Sequence, residues 1–454
     1  MGNPHILAIP YPSQGHVIPL MELSLQLVKK GFKVTFVNTE FIHKRVLSAL
    51  SKEDSVGELI NLVSIPDGME PWEDRSDLGK LCQDIFRVMP GELEKLVKDI
   101  KRTDDNEITC IIADENLGWA LEVAEKMKIK KAAFWPGSAA VLALIFSIPN
   151  LIQDGILDSD GTILRHEMIT LTSTMPAMNP KQFAWASLGN SNTERIIFNL
   201  LGETNRNVKL ADRIICNTSY ELEPAALALF PEILPIGPLL ADHQLGKSSG
   251  YFWPADASCL AWLDQQPYQS VIYVAFGSIT IFDQKQFEEL ALGLEVAKRP
   301  FLWVVRPDTM DEKSDMFLKV VMARIGKCGR TVGWTHQQAV LNHPSVGCFL
   351  SHCGWNSTME GLSNGVPFLC WPYFADQFLN QTYICDVWKV GLSLDKDASG
   401  IITRGEIKNK VETLLNDKEF KERALIHQEK VTSGTQDNGY SDKNMSNFIE
   451  WMEM

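Results

Sequence analysis

The chain has 454 residues, 45% of them apolar, and a formal charge of -14. That length exceeds what one hydrophobic core usually spans, so two packed domains are expected. The acidic balance, spread without a long run of one sign, excludes a nucleic-acid surface and attraction to anionic lipid; neither nucleic acid nor membrane insertion is expected.

The chain opens with "HILAIP", a strand, followed by "YPSQGH", too short and too polar for a signal or transmembrane segment. Nine cysteines lie scattered without a CxxC pair or zinc-like spacing. They read as reduced, mostly buried thiols in a cytoplasmic protein. Val17 to Lys30 is an apolar-periodic helix stopped by Gly31, and "KVTFVN" is the next strand, completing a βαβ unit. Further strands are expected at Leu59 to Val63, "ITCIIAD" (108–114), "KAAFWP" (131–136) and "DRIICNT" (212–218), with helical patterns between most of them. Such alternation means a parallel sheet covered on both faces.

After "LFPEILPIGPLL" comes a polar Gly/Ser-containing stretch, the expected linker over 239–258. The pattern then restarts, with strands expected in "SVIYVAFGS" (270–278), "PFLWVVRP" (300–307), "RTVGW" (330–334), "VGCFLS" (346–351) and "VPFLCW" (366–371). The expected organisation is an α/β protein: a first Rossmann-like domain over 1–238, a second over 259–436, and a final helix over 437–454 that returns to the first domain. No G-x-G-x-x-G follows the first strand of either half and no P-loop pattern occurs, which removes the main support for a dehydrogenase, an epimerase or a P-loop enzyme.

In doubly wound sheets ligands bind beyond the carboxyl ends of the strands where strand order reverses. With a 3-2-1-4-5 order, strands one and four flank that point. In the first half they deliver Ser13-Gln14-Gly15-His16 and Asp114; in the second, Gly277-Ser278-Ile279-Thr280 and His352. Around His352 the sequence reads "SHCGWNSTMEGLSNGVPFLCWPYFADQ". Gly354 permits close backbone approach, and Asn356 with Ser357 begins a helix whose free N–H groups suit a phosphate. His352, Ser278 and Thr280 can close around a diphosphate. A rival reading makes Ser357 and Glu360 only a capping box. His16 at a helix start is expected to be a neutral imidazole able to accept a proton, with Asp114 fixing its tautomer.

The stretch from Trp334 to Gln377, with Trp334, Gln337, "HPSVGCFLSHCGWNS", Glu360, "GVPFLCWP" and Asp376-Gln377, resembles the signature box of plant family 1 UDP-sugar glycosyltransferases. Similarity extends over nearly the whole chain through "PSQGHVIPL", "FGS" and "FIE". The resemblance implies a GT-B architecture, two Rossmann-like doubly wound domains facing across a cleft, the first holding the acceptor and the second the UDP-sugar. It implies that Trp334 stacks on uracil beside Thr335, and that Gln337 and Glu360 hold the ribose. It places Ser278, Thr280, His352, Gly354, Asn356 and Ser357 at the diphosphate, and Trp355, Asp376 and Gln377 at the sugar. Gln377 resembles the glucose-preferring type. Two departures stand out: His336 replaces the usual proline of Trp-x-Pro-Gln, and Pro136 stands where many relatives carry Thr or Ser, with Ser138 and Trp135 as substitutes.

The implied reaction is an inverting transfer of glucose from UDP-glucose, a co-substrate rather than a cofactor, to a hydroxyl of a small lipophilic acceptor, a flavonoid, other phenolic or terpenoid, with His16 as base and Asp114 as its partner. No metal is required, and the D-x-D at Asp158-Ser159-Asp160 reads as turn chemistry. The acceptor pocket is expected among Trp72, Trp135, Ser138, Phe146, Phe183, Trp185, Phe198 and Phe374, each of which fits an ordinary core equally well. A monomer is expected. C-glycosylation of a phenolic ring and a non-catalytic UDP-sugar-binding protein remain as alternatives.

Overall fold

The structure is a computed structural model and describes residues 4–50, 56–103, 107–240, 250–309 and 311–454. Positions 241–249 of the expected linker lie outside the described residues. The chain forms two compact units, one comprising 1–253 with 374–379 and 433–454, the other 254–373 with 380–432.

In the first unit the apolar runs form β1 (His5–Ile9), β2 (Lys33–Thr39), β3 (Asn61–Ile65), β4 (Ile108–Asp114), β5 (Lys130–Trp135), β6 (Arg213–Cys216) and β7 (Ile233–Pro235). All pair in parallel, in the order β3-β2-β1-β4-β5-β6-β7. Because side chains alternate along a strand, β1 feeds both faces: Ile6 and Ala8 join one apolar cluster, Leu7 and Ile9 another. The first cluster takes in Val17, Leu20 and Leu27 of the helix Gln14–Lys29 and Phe448 and Trp451 of the final helix Tyr440–Glu453. The second takes in Leu81, Ile85, Met89, Leu93 and Val97, one stripe at four-residue spacing along the helix Leu78–Thr103.

The final helix is tied to the β7 edge by polar contacts as well. Asn444 Nδ2 donates to the Pro235 carbonyl at 2.9 Å, and Ser441 Oγ to that of Gly237 at 2.7 Å. The side chains of Arg213 and Lys130 lie over the Trp451 ring at 5.3 and 5.8 Å.

The second unit repeats the winding with β8 (Val271–Ala275), β9 (Phe301–Val304), β10 (Gly329–Val332), β11 (Val346–Ser351), β12 (Phe368–Cys370) and β13 (Gly391–Ser393), ordered β10-β9-β8-β11-β12-β13. Ile272 and Val274 pack with Phe287, Leu290 and Leu294 on one face; on the other Tyr273 stacks on Phe349 with centroids 5.0 Å apart. In both units order reverses between the first and fourth strands, which sets the site residues there.

Three strand expectations need correction. The third strand starts at Asn61, because Leu59 closes a short helix, Val56–Leu59. β7 falls in the Pro-rich run that reads as connection; Pro235 is tolerated because it lies in an edge strand, which needs no outward N–H. β13, also three residues long at an edge, carries too little pattern to be read.

Phe448 is fully buried in the first unit. Phe448→Ala should therefore lower stability by about 3–5 kcal/mol, read as a lower urea midpoint with unchanged slope. A loss below about 1 kcal/mol would mean that the final helix is not part of this core.

Candidate active site

His16 is the third residue of the helix Gln14–Lys29, and Asp114 is the last residue of β4. Since β1 and β4 are neighbours, the two side chains meet: His16 Nδ1 lies 2.7 Å from Asp114 Oδ2. The carboxylate accepts, so Nδ1 carries the hydrogen. The other oxygen, Oδ1, accepts from the backbone N–H of Asn116 at 3.0 Å and from Asn116 Nδ2 at 3.2 Å. Asp114 is fully buried, whereas the His16 side chain is 24% exposed.

The balance of forces on His16 corrects the expectation that a helix start holds the imidazole neutral. Burial does disfavour the imidazolium, but the charge and hydrogen bond of Asp114, with a further contribution from the charge of Asp376, outweigh it and raise the pKa above 6.5.

Glu115, next in sequence, is fully buried, and among the described residues neither carboxyl oxygen has a hydrogen-bond partner. Burial and the nearby Asp114 charge push its pKa up to about 8, so it is mostly a neutral acid at neutral pH. In the second unit, burial likewise raises Glu360 to about 7, although Gln337 and Gln338 donate to it.

The residues expected at the donor gather at the carboxyl ends of β8 and β11. Ser278 lies in the turn after β8 and Thr280 is buried beyond it. His352 follows β11, and burial holds its pKa down to about 4, offset only in part by the backbone of Ala275, so it is a neutral imidazole. Two glycines frame its ring: a Cβ on Gly277 would lie 2.7 Å from His352 Nε2 and one on Gly354 2.5 Å from it. Gly354, which has no side chain of its own to make a capping bond, is the N-cap of the helix Trp355–Ser363. Asn356 and Ser357 thus sit in its first turn, where backbone N–H groups and the helix dipole suit an anion. The capping-box rival fails, because Ser357 lies inside the helix and Glu360 bonds elsewhere.

Gln337 and Glu360 come together directly. Gln337 Nε2 donates to Glu360 Oε2 at 2.5 Å and to Ser357 Oγ at 2.8 Å, while its Oε1 accepts from Tyr273 at 3.2 Å. Gln338 Nε2 adds a bond to Glu360 Oε1 at 3.2 Å. Tyr273 and Gln338 were not among the sequence candidates: Tyr273 reads as core strand, and only the repeated "QQ" after His336 marked Gln338. Trp334 is half-buried, and its carbonyl accepts from Asp256 N–H at 2.9 Å. Thr335 is buried with its hydroxyl 3.1 Å from Cys259 Sγ, so its side chain anchors the loop from within. His336 has φ -71°, already within the range of the proline it replaces. Trp355 is packed inside the second unit, 6.4 Å from the Trp388 ring.

Asp376 and Gln377 belong to the segment that groups with the first unit. Gln377 Oε1 accepts from the N–H of half-buried Phe374 at 3.1 Å, and Ala375 N–H donates to Ser187 Oγ at 3.1 Å. The expected acceptor aromatics do not form one wall. Trp72 is 80% exposed. Phe183, Trp185 and Phe198 are buried and pack on one another as tilted ring pairs with centroid distances of 5.1 and 5.6 Å. Phe146 packs edge-on to Phe230 at 5.4 Å. Trp135 Nε1 donates to the Ser138 carbonyl at 2.8 Å, and buried Ser138 caps the helix Ala139–Phe146 by accepting from Val141 N–H. The Ser138 hydroxyl is thereby engaged locally. Asp158 Oδ1 accepts from the N–H groups of Asp160 and Thr162, which is turn chemistry. Among the described residues no group of three or more His, Cys, Asp or Glu side chains is arranged for a metal ion, and no helix is long and apolar enough to cross a membrane.

Two Rossmann-like doubly wound units with these switch-point residues define the GT-B class of glycosyltransferases. Residues 253–432 match the family model described as "UDP-glucoronosyl and UDP-glucosyl transferase". The chain is 46% identical to UDP-glycosyltransferase 83A1 of Arabidopsis thaliana, covering 100% of this chain and 97% of that one. It is 32% identical to 7-deoxyloganetin glucosyltransferase of Catharanthus roseus, covering 99% and 96%. Among solved structures, Os79 from O. sativa in complex with UDP superposes with a TM-score of 0.81 at 26% identity, covering 98% of this chain and 100% of that one. Phytolacca americana UGT2 complexed with UDP-2fluoro-glucose and pterostilbene does so with a TM-score of 0.81 at 26% identity, covering 99% and 100%. The chain belongs to the plant family 1 UDP-dependent glycosyltransferases and is a glycosyltransferase enzyme.

Glu115 gives a pH test. Its folded pKa lies above the ordinary carboxylate value of 4.5, so between 4.5 and about 8 the folded state holds a proton the unfolded state has lost. Its contribution to stability is complete below that window and is lost as pH rises through it. Glu115→Gln, neutral throughout, should flatten that part of the stability–pH curve by an amount on the order of a few kcal/mol. Unfolding curves from pH 4 to 9 with the same slope for both proteins would contradict a neutral buried Glu115.

Proposed function

We propose that the enzyme transfers glucose from UDP-glucose, with inversion, to a hydroxyl of a small lipophilic plant metabolite, a phenolic such as a flavonoid or a terpenoid. The observation that carries this reading is the 2.7 Å His16–Asp114 bond, which leaves Nε2 as the proton acceptor. The names of the relatives support the donor and the acceptor class: one is a glucosyltransferase for 7-deoxyloganetin, and the solved neighbours hold UDP, UDP-2fluoro-glucose with pterostilbene, or a trichothecene.

In this reading the first unit holds the acceptor and the second the nucleotide sugar. His16 Nε2 takes the acceptor proton as its oxygen attacks the anomeric carbon on the face opposite UDP, through an oxocarbenium-like transition state. The bond from that carbon to the diphosphate oxygen breaks, and UDP leaves. Asp114 stabilises the imidazolium as it forms. On the donor side the helix N-terminus at Gly354, with Asn356, Ser357, Ser278, Thr280 and neutral His352 as a hydrogen-bond donor, receives the diphosphate. Trp334 stacks on uracil, Gln337 and Glu360 turn from each other to the ribose, and Asp376 and Gln377 bind the glucose hydroxyls. UDP-glucose is a co-substrate, no metal enters the scheme, and the enzyme acts as a cytoplasmic monomer.

The test mixes the protein with UDP-glucose and a panel of phenolic and terpenoid acceptors in the presence of chelator, and follows UDP release and product mass. The expected product gains one hexose through an acid-labile O-linkage, and kcat/KM rises with pH through a limb above 6.5, as a base with a raised pKa requires. His16→Ala should lose about 10²–10⁴ in turnover while UDP binding persists. Full turnover by His16→Ala, or an acid-stable carbon linkage, would overturn the O-transfer mechanism.

A further inference from the structure

The bond to Asp114 fixes one edge of the His16 imidazole but not the tilt of its plane. A second contact does that. Tyr11 lies two residues beyond the end of β1, and its ring centroid lies 5.2 Å from that of His16 with the planes inclined by 56°. The Tyr11 hydroxyl lies 3.2 Å from the sulfur of Cys82, a residue 71 positions away.

Cys82 is buried on the helix Leu78–Thr103, beside the Leu81-Ile85-Met89-Leu93-Val97 stripe that seats this helix on the sheet. The frame behind Tyr11 is therefore a long, well-packed helix. The pair is neutral. Burial and the neighbouring Cys82 and Asp114 raise the phenol well above 10, and burial pushes the thiol up to about 11. With both protons in place either group can donate, and Cys82 is a hydrogen-bonding thiol, not a nucleophilic thiolate.

We propose that Tyr11 and Cys82 form a positioning pair: their hydrogen bond holds the Tyr11 ring against His16 and so sets the direction in which Nε2 meets the acceptor hydroxyl. This rests on His16 being the base. Neither residue touches the reacting atoms. Their effect is to narrow the orientations of the imidazole, and misplacement by about 1 Å is enough to cost about 10²-fold in rate.

A double-mutant cycle tests the pair, with UDP-glucose and quercetin as probe substrates. Tyr11→Phe keeps the ring and removes the bond; Cys82→Ala removes it from the other side; Cys82→Ser keeps a donor and acceptor. Each of the first two should lower kcat by about 3–10-fold with KM for UDP-glucose unchanged, and the double variant should be no slower than either, since both remove one interaction. Cys82→Ser should restore most of kcat.

An acceptor-independent reading comes from NMR of histidine-labelled protein. The ring-current shift of His16 should be lost in Cys82→Ala and regained in Cys82→Ser. Independent, multiplicative losses in the double variant, a Cys82→Ser as slow as Cys82→Ala, or a His16 signal unmoved by all three would overturn the proposal. Full turnover by His16→Ala would instead show that the underlying assignment of the base is wrong.

Discussion

The contact on which the functional reading depends is the hydrogen bond from His16 Nδ1 to Asp114 Oδ2, 2.7 Å long and formed between residues 98 positions apart. It exists because β1 and β4 lie side by side, so that the loop leaving one meets the end of the other. The parallel sheet and its two apolar faces are the means of that placement. Both oxygens of buried Asp114 are hydrogen-bonded, and its charge and hydrogen bond raise the basicity of an imidazole that burial alone would depress. Glu115, with no hydrogen-bond partner among the described residues, is pushed by burial and the Asp114 charge to a pKa of about 8 and stays mostly neutral at neutral pH.

The second unit uses the same switch point for a different purpose. Its strand ends present a neutral histidine framed by two glycines and a helix start with glycine at its N-cap. A neutral ring and the oriented dipoles of a helix start suit an anion without holding a fixed cation in its absence. The Gln337–Glu360 pair is joined by its own hydrogen bond in this structure; in the proposed function the same groups turn to a ribose, exchanging one set of hydrogen bonds for another.

Much of this was legible in the sequence. Long apolar runs bounded by turn residues gave the strands that matter, and their order put His16, Asp114, Ser278 and His352 at strand ends. What escaped were the features that depend on packing. The short edge strands at Pro235 and Gly391 carry almost no periodic signal. Phe183, Trp185 and Phe198 have the composition of a pocket wall, but they are buried with their rings tilted against one another, while Trp72 lies at the surface. Ser138 is spaced as a cap no less than as a ligand contact, and only the fold decides between them. The Tyr11–Cys82 bond joins residues whose types announce nothing at their separation, and the pKa of His16 depends on which of two opposed effects is larger.

The central claim is that Asp114 turns His16 into a base against the effect of burial. The most direct measurement is an NMR titration of the His16 imidazole in the native protein and in Asp114→Asn. The account predicts a pKa above 6.5 in the native protein and a fall below that value in the variant, where burial acts with the opposing charge removed. The same pKa in both proteins, or a native value below 6.5, would contradict it.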